Sequence, residues 1–261
     1  MYKYPGTKKV IGKILSTIVK PQTGVYREPF AGSASVFNEL AQNKIIDKAV
    51  LTDLNGSTVN MLQQLKKNPD EVIGSVISKL ESYNPEVDTP HDFMLSFAKE
   101  GNVGSKTEKA IRDLILTSIA NKAPGQKLSY ARSWGIPNPN RVKEFLTKMS
   151  ESLQIADVRQ GDWKTNLPGK RENSFTMLDP PYVGSHKGKN YDIGTAKALQ
   201  LNKEIASYIQ NRGAKNSGIV FNTPVGIENL YKEFGSVVDF STGKVKQPAV
   251  LYGMGRIRTG E

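Results

Sequence analysis

The 261-residue chain has no cysteine, so neither a disulfide nor a thiolate metal site is open to it. Its two histidines, His91 and His186, leave little from which to build a zinc centre, and no metal is expected. Long apolar runs are also missing. No window approaches the roughly 20 apolar residues needed to span a bilayer, and the opening MYKYPGTKKVIGKIL lacks the unbroken apolar stretch of a secretory signal. A soluble, cytoplasmic protein without a membrane partner is expected. No repeat of fixed period and no low-complexity tract is present, so the chain is read segment by segment. Acidic residues are the scarcer sign: 25 Asp and Glu face 36 Lys and Arg, a net charge of +11. That balance favours a polyanionic partner, nucleic acid first, over the bland alternative of a basic surface that only keeps the protein in solution.

What is present begins with an α/β alternation. Val25 to Phe30 is short and apolar enough for a buried strand, Ala31 to Ser35 is a run of small residues, and Val36, Leu40 and Ala41 then recur at helical spacing. A second strand, Ala49 to Thr52, ends at Asp53, completing a βαβ unit. Leu62, Leu65, Val72, Ile73, Val76, Ile77 and Leu80 follow helical spacing, with a break at Pro69. From 84 to 154 the alternation stops and basic residues interleave with Phe93, Phe97, Tyr130 and Trp134, which reads as an inserted, mainly helical lobe. Alternation resumes with strands at Ile155 to Val158, Ser174 to Leu178 and Gly218 to Asn222, and a helix at Ala198 to Asn211. The expected fold class is α/β, a Rossmann-like domain of 1–83 and 155–261 around a parallel-type sheet, interrupted by the lobe at 84–154.

Two places carry chemistry. In REPFAGSASV the first strand runs into a turn where Gly32 lets backbone approach a ligand and the following helix directs its N-terminal amides at the same point. Asp53 lies 21 residues after Gly32 at the end of the next strand, the spacing at which a doubly wound fold offers a carboxylate to ribose hydroxyls. The turn is not GxGxxG and lacks the glycine trio that wraps a pyrophosphate, which disfavours a nicotinamide enzyme.

The second place is SFTMLDPPYVGSHKGKNY. The strand Phe175 to Leu178 leads into Asp179, Pro180, Pro181 and Tyr182, and two prolines force the chain out of the sheet at its carboxyl edge. The Asp179 carboxylate and the Pro180 carbonyl can then converge on one amino group while Tyr182 offers a face for stacking. An exocyclic amine of a nucleobase is a poor nucleophile because its lone pair is delocalised into the ring. Two acceptors on its hydrogens favour a pyramidal nitrogen with the lone pair aimed at an incoming methyl group, which needs positioning and electrostatics but no metal. A base inside a duplex is out of reach of such a pocket and must be flipped out.

On these residues the chain resembles the Dam-like, alpha-order (D12 class) DNA adenine-N6 methyltransferases over essentially its whole length. KYPGTKK, with Tyr4 and Lys8, is similar to the family's N-terminal cofactor motif. EPFAGSASVF, with Glu28, Pro29, Phe30, Gly32 and Ser33, is similar to its glycine motif, LTDLN with Asp53 to its ribose-binding motif, and GDW with Asp162 and Trp163 to the motif at the cofactor's adenine ring. DPPY matches the catalytic tetrad, and FNTP, from Phe221 to Pro224, a late strand motif. The resemblance implies S-adenosylmethionine as methyl donor and double-stranded DNA as substrate, acted on by a monomer. In the lobe, Asn121, Lys122 and Arg132 look like the polar positions such enzymes direct at DNA. GIPNPNR, ending at Arg141, is an altered form of the family's asparagine-proline-glycine signature. His186 and Lys187, in the glycine-containing stretch after the tetrad, are expected to close over the flipped nucleotide and touch phosphates. Ala34 stands where many relatives have a second glycine, a change compatible with a negative φ there. Three rivals stay open: cytosine-N4 methylation, whose enzymes more often lead the tetrad with serine; a DNA-binding protein of this fold without transfer; and methylation of RNA or protein glutamine, where asparagine commonly leads.

Overall fold

In a computed structural model, residues 9–19, 24–99, 104–119, 135–182, 195–240 and 248–253 are described. Helix α1 (Lys9–Ile18) precedes β1 (Val25–Glu28), α2 (Ser35–Gln42) and β2 (Ala49–Asp53). Helices α3 (Gly56–Lys67) and α4 (Pro69–Glu81) follow, separated where Pro69 removes a backbone donor and sits at the first turn of α4. Asn55 caps α3 by accepting from the amides of Ser57 and Thr58 at 3.0 and 3.3 Å. Lys66 and Lys67 in the last turn of α3, and Asp70 and Glu71 in the first turn of α4, match the helix dipoles across the junction. Next come α5 (Pro90–Lys99), α6 (Lys106–Ile119) and α7 (Pro139–Leu153), the last capped by Asn138. The chain then returns to the sheet as β3 (Ala156–Gln160), a 3-10 turn at Trp163–Asn166, β4 (Ser174–Leu178), α8 (Thr195–Gln210) and β5 (Asn216–Phe221). A π-helical turn at Ile227–Tyr231, β6 (Gly235–Asp239) and β7 (Pro248–Tyr252) complete it.

Among the described residues seven strands form one sheet in the order β3-β2-β1-β4-β5-β7-β6. The first five pair in parallel; β7 runs antiparallel between β5 and β6. This is the expected α/β architecture. All five residues of β4 are buried, as a central parallel strand covered on both faces requires, whereas the edge strands β3 and β6 alternate or face outward. The antiparallel β6 and β7 were not foreseen from the sequence. Nor was α1, whose KVIGKIL seeds a helix that packs on α2.

Helices α5, α6 and α7 fall within 84–154. Helix α6 packs on α3, α4 and α5, and α7 packs on α2, α3 and α4. Their buried side chains, among them Phe93, Leu114 and Leu146, share one apolar cluster with Leu51 of β2 and Phe37 of α2. Tyr83, Phe93 and Phe97 meet edge to face, with centroids 5.3 and 5.0 Å apart, at the base of this segment. No helix among the described residues is long and apolar enough to cross a membrane.

The junction of α1 with α2 depends on Gly12. A Cβ at that position would lie 2.8 Å from Cβ of Glu39 and 3.3 Å from Cα of Val36, neither the end of a flexible side chain. Gly12→Ala is expected to lower stability by about 1–3 kcal/mol, the usual cost of overpacking, seen as a lower urea midpoint at unchanged slope. An unshifted midpoint means that α1 does not seat on α2 this closely.

Candidate functional site

The site follows from strand register. Glu28 of β1 lies opposite Leu51 of β2, and Asp53 lies opposite Gln160 of β3. On the other side Arg27 lies opposite Thr176 of β4. The strand order reverses between β1 and β4, so the segments leaving their carboxyl ends diverge and leave the crevice in which open α/β sheets bind ligands. Four chain segments therefore emerge at one edge: Pro29 to Ala34, Asp53 to Asn55, Gly161 to Trp163, and Asp179 to Tyr182.

At the end of β1, Glu28 is buried, and Tyr26 donates its hydroxyl to the Glu28 carboxylate at 2.9 Å. Glu28 is therefore not a surface residue. Pro29 and Ser33 are also buried, while Phe30 is partly exposed. The turn is closed by backbone bonds from Ala31 N–H to the Thr52 carbonyl at 3.0 Å and from Ala34 N–H to the Ala31 carbonyl at 2.7 Å. Gly32 has φ 49° and Ala34 φ 50°. The expectation of a negative φ at Ala34 is therefore corrected. Two left-handed residues two apart are what turn the strand into α2 this tightly, and the second carries a Cβ that disfavours the conformation by about 1–2 kcal/mol. No side chain caps α2 at Ala34, so its first amides are not met by a side-chain acceptor of the cap residue.

Asp53 ties two of the segments together. Its Oδ2 accepts from Gly32 N–H at 2.8 Å and its Oδ1 from Asn55 N–H at 2.8 Å. Burial lifts its carboxyl above the ordinary aspartate range, while the backbone N–H groups of Asn55, Gly32 and Leu54 pull it back. Three N–H groups on a carboxylate with about four lone-pair sites still leave a lone pair to accept from a ligand hydroxyl. Beyond it, Gly161 N–H donates to the Asp53 carbonyl at 3.1 Å, which seats Asp162 beside it. Asp162 is exposed and caps the 3-10 turn, accepting from Lys164 N–H at 2.9 Å. Trp163 is buried at 6 % exposure and backs Phe30, their rings tilted by 21° with centroids 6.2 Å apart. The aromatic surface offered to the crevice here is thus Phe30, with Trp163 beneath it.

At the end of β4, Asp179 and Tyr182 are half-buried and Pro180 is buried. Tyr182 donates its hydroxyl to Asp179 Oδ1 at 2.9 Å, a bond that the sequence did not suggest. Behind the tetrad, Asn202 of α8 donates to the Pro181 carbonyl at 3.0 Å. The sequence reading gave that helix no role, although a polar Asn202 on the buried stripe of Ala198, Ile205 and Ile209 was a signal available in the sequence.

Of the other expected site residues, Arg141 is exposed in the first turn of α7, where its N–H donates to Asn138 Oδ1 at 3.2 Å. Tyr4, Lys8, Asn121, Lys122, Arg132, His186 and Lys187 lie outside the described residues. Among the described residues no group of three or more His, Asp or Glu is placed to hold a metal ion.

Residues 4–238 match the D12 class N6 adenine-specific DNA methyltransferase family. The Type II methyltransferase M1.LlaDCHI of Lactococcus lactis subsp. cremoris is 24% identical over 249 residues, spanning 89% of this chain and 84% of that protein. Among solved structures, a possible methylase from Clostridium difficile 630 is similar over 100% of this chain with a TM-score of 0.48 and 11% identity. SMU.472, complexed with SAH, is similar over 98% with a TM-score of 0.45 and 12% identity. The chain spans 56% and 55% of the lengths of those two solved chains.

Ala34 combines a left-handed backbone with complete burial. Ala34→Gly relieves the backbone but loses a buried methyl group and loosens the unfolded chain, so stability is expected to change by less than about 1 kcal/mol. Ala34→Val places a branched side chain in both unfavourable settings and is expected to cost about 2–4 kcal/mol. Denaturant titration of both variants checks this, and a harmless valine would mean that the turn does not adopt this conformation.

Proposed function

Because the chain belongs to the D12 class N6 adenine-specific DNA methyltransferases, we propose that the crevice at the ends of β1 and β4 transfers a methyl group from S-adenosylmethionine to N6 of an adenine flipped out of double-stranded DNA. The observation that carries this reading is the register that sets Asp179 to Tyr182 beside the Gly32 turn and Asp53. When bound, the cofactor supplies an electrophilic methyl group on a sulfonium centre. The residues present suit it: a turn opened by two left-handed residues, a carboxylate with a spare lone pair at a strand end, and a partly exposed aromatic ring, Phe30, beside them.

In this reading Asp53 accepts from the ribose hydroxyls, Phe30 lies against the adenine ring with Asp162 at its edge, and the turn from Glu28 to Ser33, joined by Tyr4 and Lys8, receives the methionine portion. Asp179 and the Pro180 carbonyl accept from the two hydrogens of the target amine, drawing its lone pair out of conjugation and aiming it. Tyr182 stacks on the flipped base, for which its hydroxyl exchanges Asp179 for another partner. The amine's surplus proton passes to water after transfer, so no further general base is needed. Asn121, Lys122, Arg132 and Arg141, carried by the 84–154 lobe, contact DNA, and His186 with Lys187 closes on phosphates beside the flipped nucleotide. The protein acts as a monomer without a metal, in the cytoplasm.

A transfer assay with labelled S-adenosylmethionine and unmodified duplex, followed by nucleoside analysis, tests the reading. N6-methyladenine is expected from the parent, with a loss of roughly 100- to 1000-fold in Asp179→Ala. Label in cytosine would redirect the reading to N4 of that base, and DNA binding without transfer would replace the enzyme with a binding protein. Cofactor affinity tests Asp53 separately. Asp53→Ala is expected to weaken S-adenosylmethionine binding by about 1.5–3 kcal/mol, the range for hydrogen bonds to a charged group, while Asp179→Ala leaves it unchanged by calorimetry. The ionised carboxylate is the better acceptor, so affinity falls as pH drops through the Asp53 pKa. Burial has raised that pKa, so the loss begins at a higher pH than an ordinary aspartate would give. A flat affinity over that range would remove Asp53 from the ribose contact.

A further inference from the structure

Pro180 and Pro181 contribute no backbone N–H, so the catalytic tetrad cannot be tied to its surroundings through donors of its own at those positions. Its carbonyls are what the protein can grip. Asn202 is fully buried on α8, and its side-chain amide donates to the Pro181 carbonyl at 3.0 Å and to the Ala198 carbonyl at 2.7 Å. Its Oδ1 accepts from Asn222 Nδ2 at 2.6 Å and lies 2.7 Å from the Tyr231 hydroxyl. Two donors and two lone pairs exhaust what an asparagine side chain offers, so this amide can neither rotate nor flip without losing bonds inside the protein.

Each outer partner is itself fixed. Asn222 follows β5 and is 1 % exposed, and its Oδ1 accepts from Thr223 N–H at 2.9 Å. Gly226 leaves the space it fills, since a Cβ there would come within 2.1 Å of Asn222 Oδ1. Tyr231 is brought against α8 by the π-helical turn, and its hydroxyl also lies 3.0 Å from the Asn202 main-chain carbonyl. Burial raises its pKa far above that of a free phenol, so it stays protonated and able to donate.

We propose that Asn202, braced by Asn222 and Tyr231, is a positioning residue for methyl transfer: it pins the Pro181 carbonyl to α8 and so sets the direction in which the Pro180 carbonyl and the Asp179 carboxylate meet the target amine. This rests on the methyltransferase reading above. It gives a role to the FNTP asparagine, Asn222, and to α8. The outward signature is a defect in chemistry without a defect in cofactor binding, because none of these residues belongs to the turn at Gly32 or to Asp53.

The test compares the parent with Asn202→Ala, Gly226→Ala and Tyr231→Phe, and with Leu146→Ala as a variant destabilised in the core of α7 away from the tetrad. Three quantities are read: the single-turnover transfer rate at saturating cofactor and duplex, the dissociation constant for S-adenosylmethionine, and the exchange rate of the Tyr182 amide by mass spectrometry. Asn202→Ala is expected to slow transfer at least roughly tenfold, since misplacement by about an ångström can cost up to 100-fold. It should keep the cofactor constant within about twofold and speed exchange at Tyr182. Gly226→Ala, which displaces Asn222 without touching Asn202, should shift the same quantities in the same direction. Tyr231→Phe, which removes only a hydroxyl, should do so more weakly and carries the test if Asn202→Ala does not fold. Leu146→Ala should lower the melting temperature while leaving transfer and exchange at Tyr182 as in the parent. The proposal is overturned if the network variants lose stability yet keep the parent's rate and Tyr182 exchange, as Leu146→Ala should. A parent that transfers no methyl group would instead sink the methyltransferase reading, and Tyr182 exchange would still decide whether Asn202 anchors the tetrad.

Discussion

Parallel pairing on both sides of β1 is the constraint from which the rest of this molecule follows. A parallel ladder aligns strand ends on one edge, and a shift of register by one residue would turn every side chain to the other face. With Glu28 level with Leu51 and Arg27 level with Thr176, the turn after β1, the acid ending β2 and the tetrad after β4 are bound to emerge together. Apolar residues on both faces of β2 and β4 hold that register, because displacing them would expose a fully buried strand. Helix α3 packs on β2 and β3 and α7 on β3, while α4, α5 and α6 pack on helices and continue the same core into the 84–154 segment.

Against that rigid frame, unfavourable features gather at the crevice. Ala34 holds a left-handed backbone, the Asp53 carboxyl is carried partly out of water, and the Pro180–Pro181 pair has no donors with which to join a neighbour. Each is offset locally: backbone bonds close the turn, two amides meet Asp53, and Asn202 grips Pro181. Such a concentration is expected where the chain is shaped for a ligand and not for its own stability. The hydroxyl of Tyr182 on Asp179 belongs to the same pattern, because it gives a half-buried carboxylate a donor.

Much of the architecture was legible because it rests on local signals. The apolar strand before Asp179, the acid ending Ala49–Asp53 and the helix break at Pro69 are set by short runs of residue type and by proline geometry. Strand β6 was not legible, since Gly235–Asp239 is exposed along most of its length and lacks the apolar run that marks a buried strand, whereas the buried run Ala249 to Tyr252 of β7 was a local signal that went unread. Helix α1 went unread although Ile11, Ile14, Leu15 and Ile18 recur at helical spacing; what local sequence does not contain is the fit of Gly12 against Glu39 and Val36 of α2. In the site, the residue types at Gly32, Asp53 and Asp179 pointed to their chemistry, but the burial of Trp163 behind Phe30 did not show, since an aromatic beside an acid looks the same whether it faces ligand or core.

By itself the sequence determined the class of chemistry and the order of its parts, because a stiff Asp-Pro-Pro-Tyr segment after an apolar strand and a carboxylate after the next strand of a βαβ unit are properties of a few consecutive residues. Only the tertiary structure decided which groups meet. Asp53 finds Gly32 across 21 residues, Asn202 finds Pro181 across 21, and Asn166 finds the Val50 carbonyl across 116. It also decided the left-handed turn at Ala34, where intrinsic preference points the other way. The physical reason is common to these cases: a hydrogen bond or a strained dihedral depends on where other elements bring their atoms, and that is set by strand register and helix packing, quantities that no short stretch of residues contains.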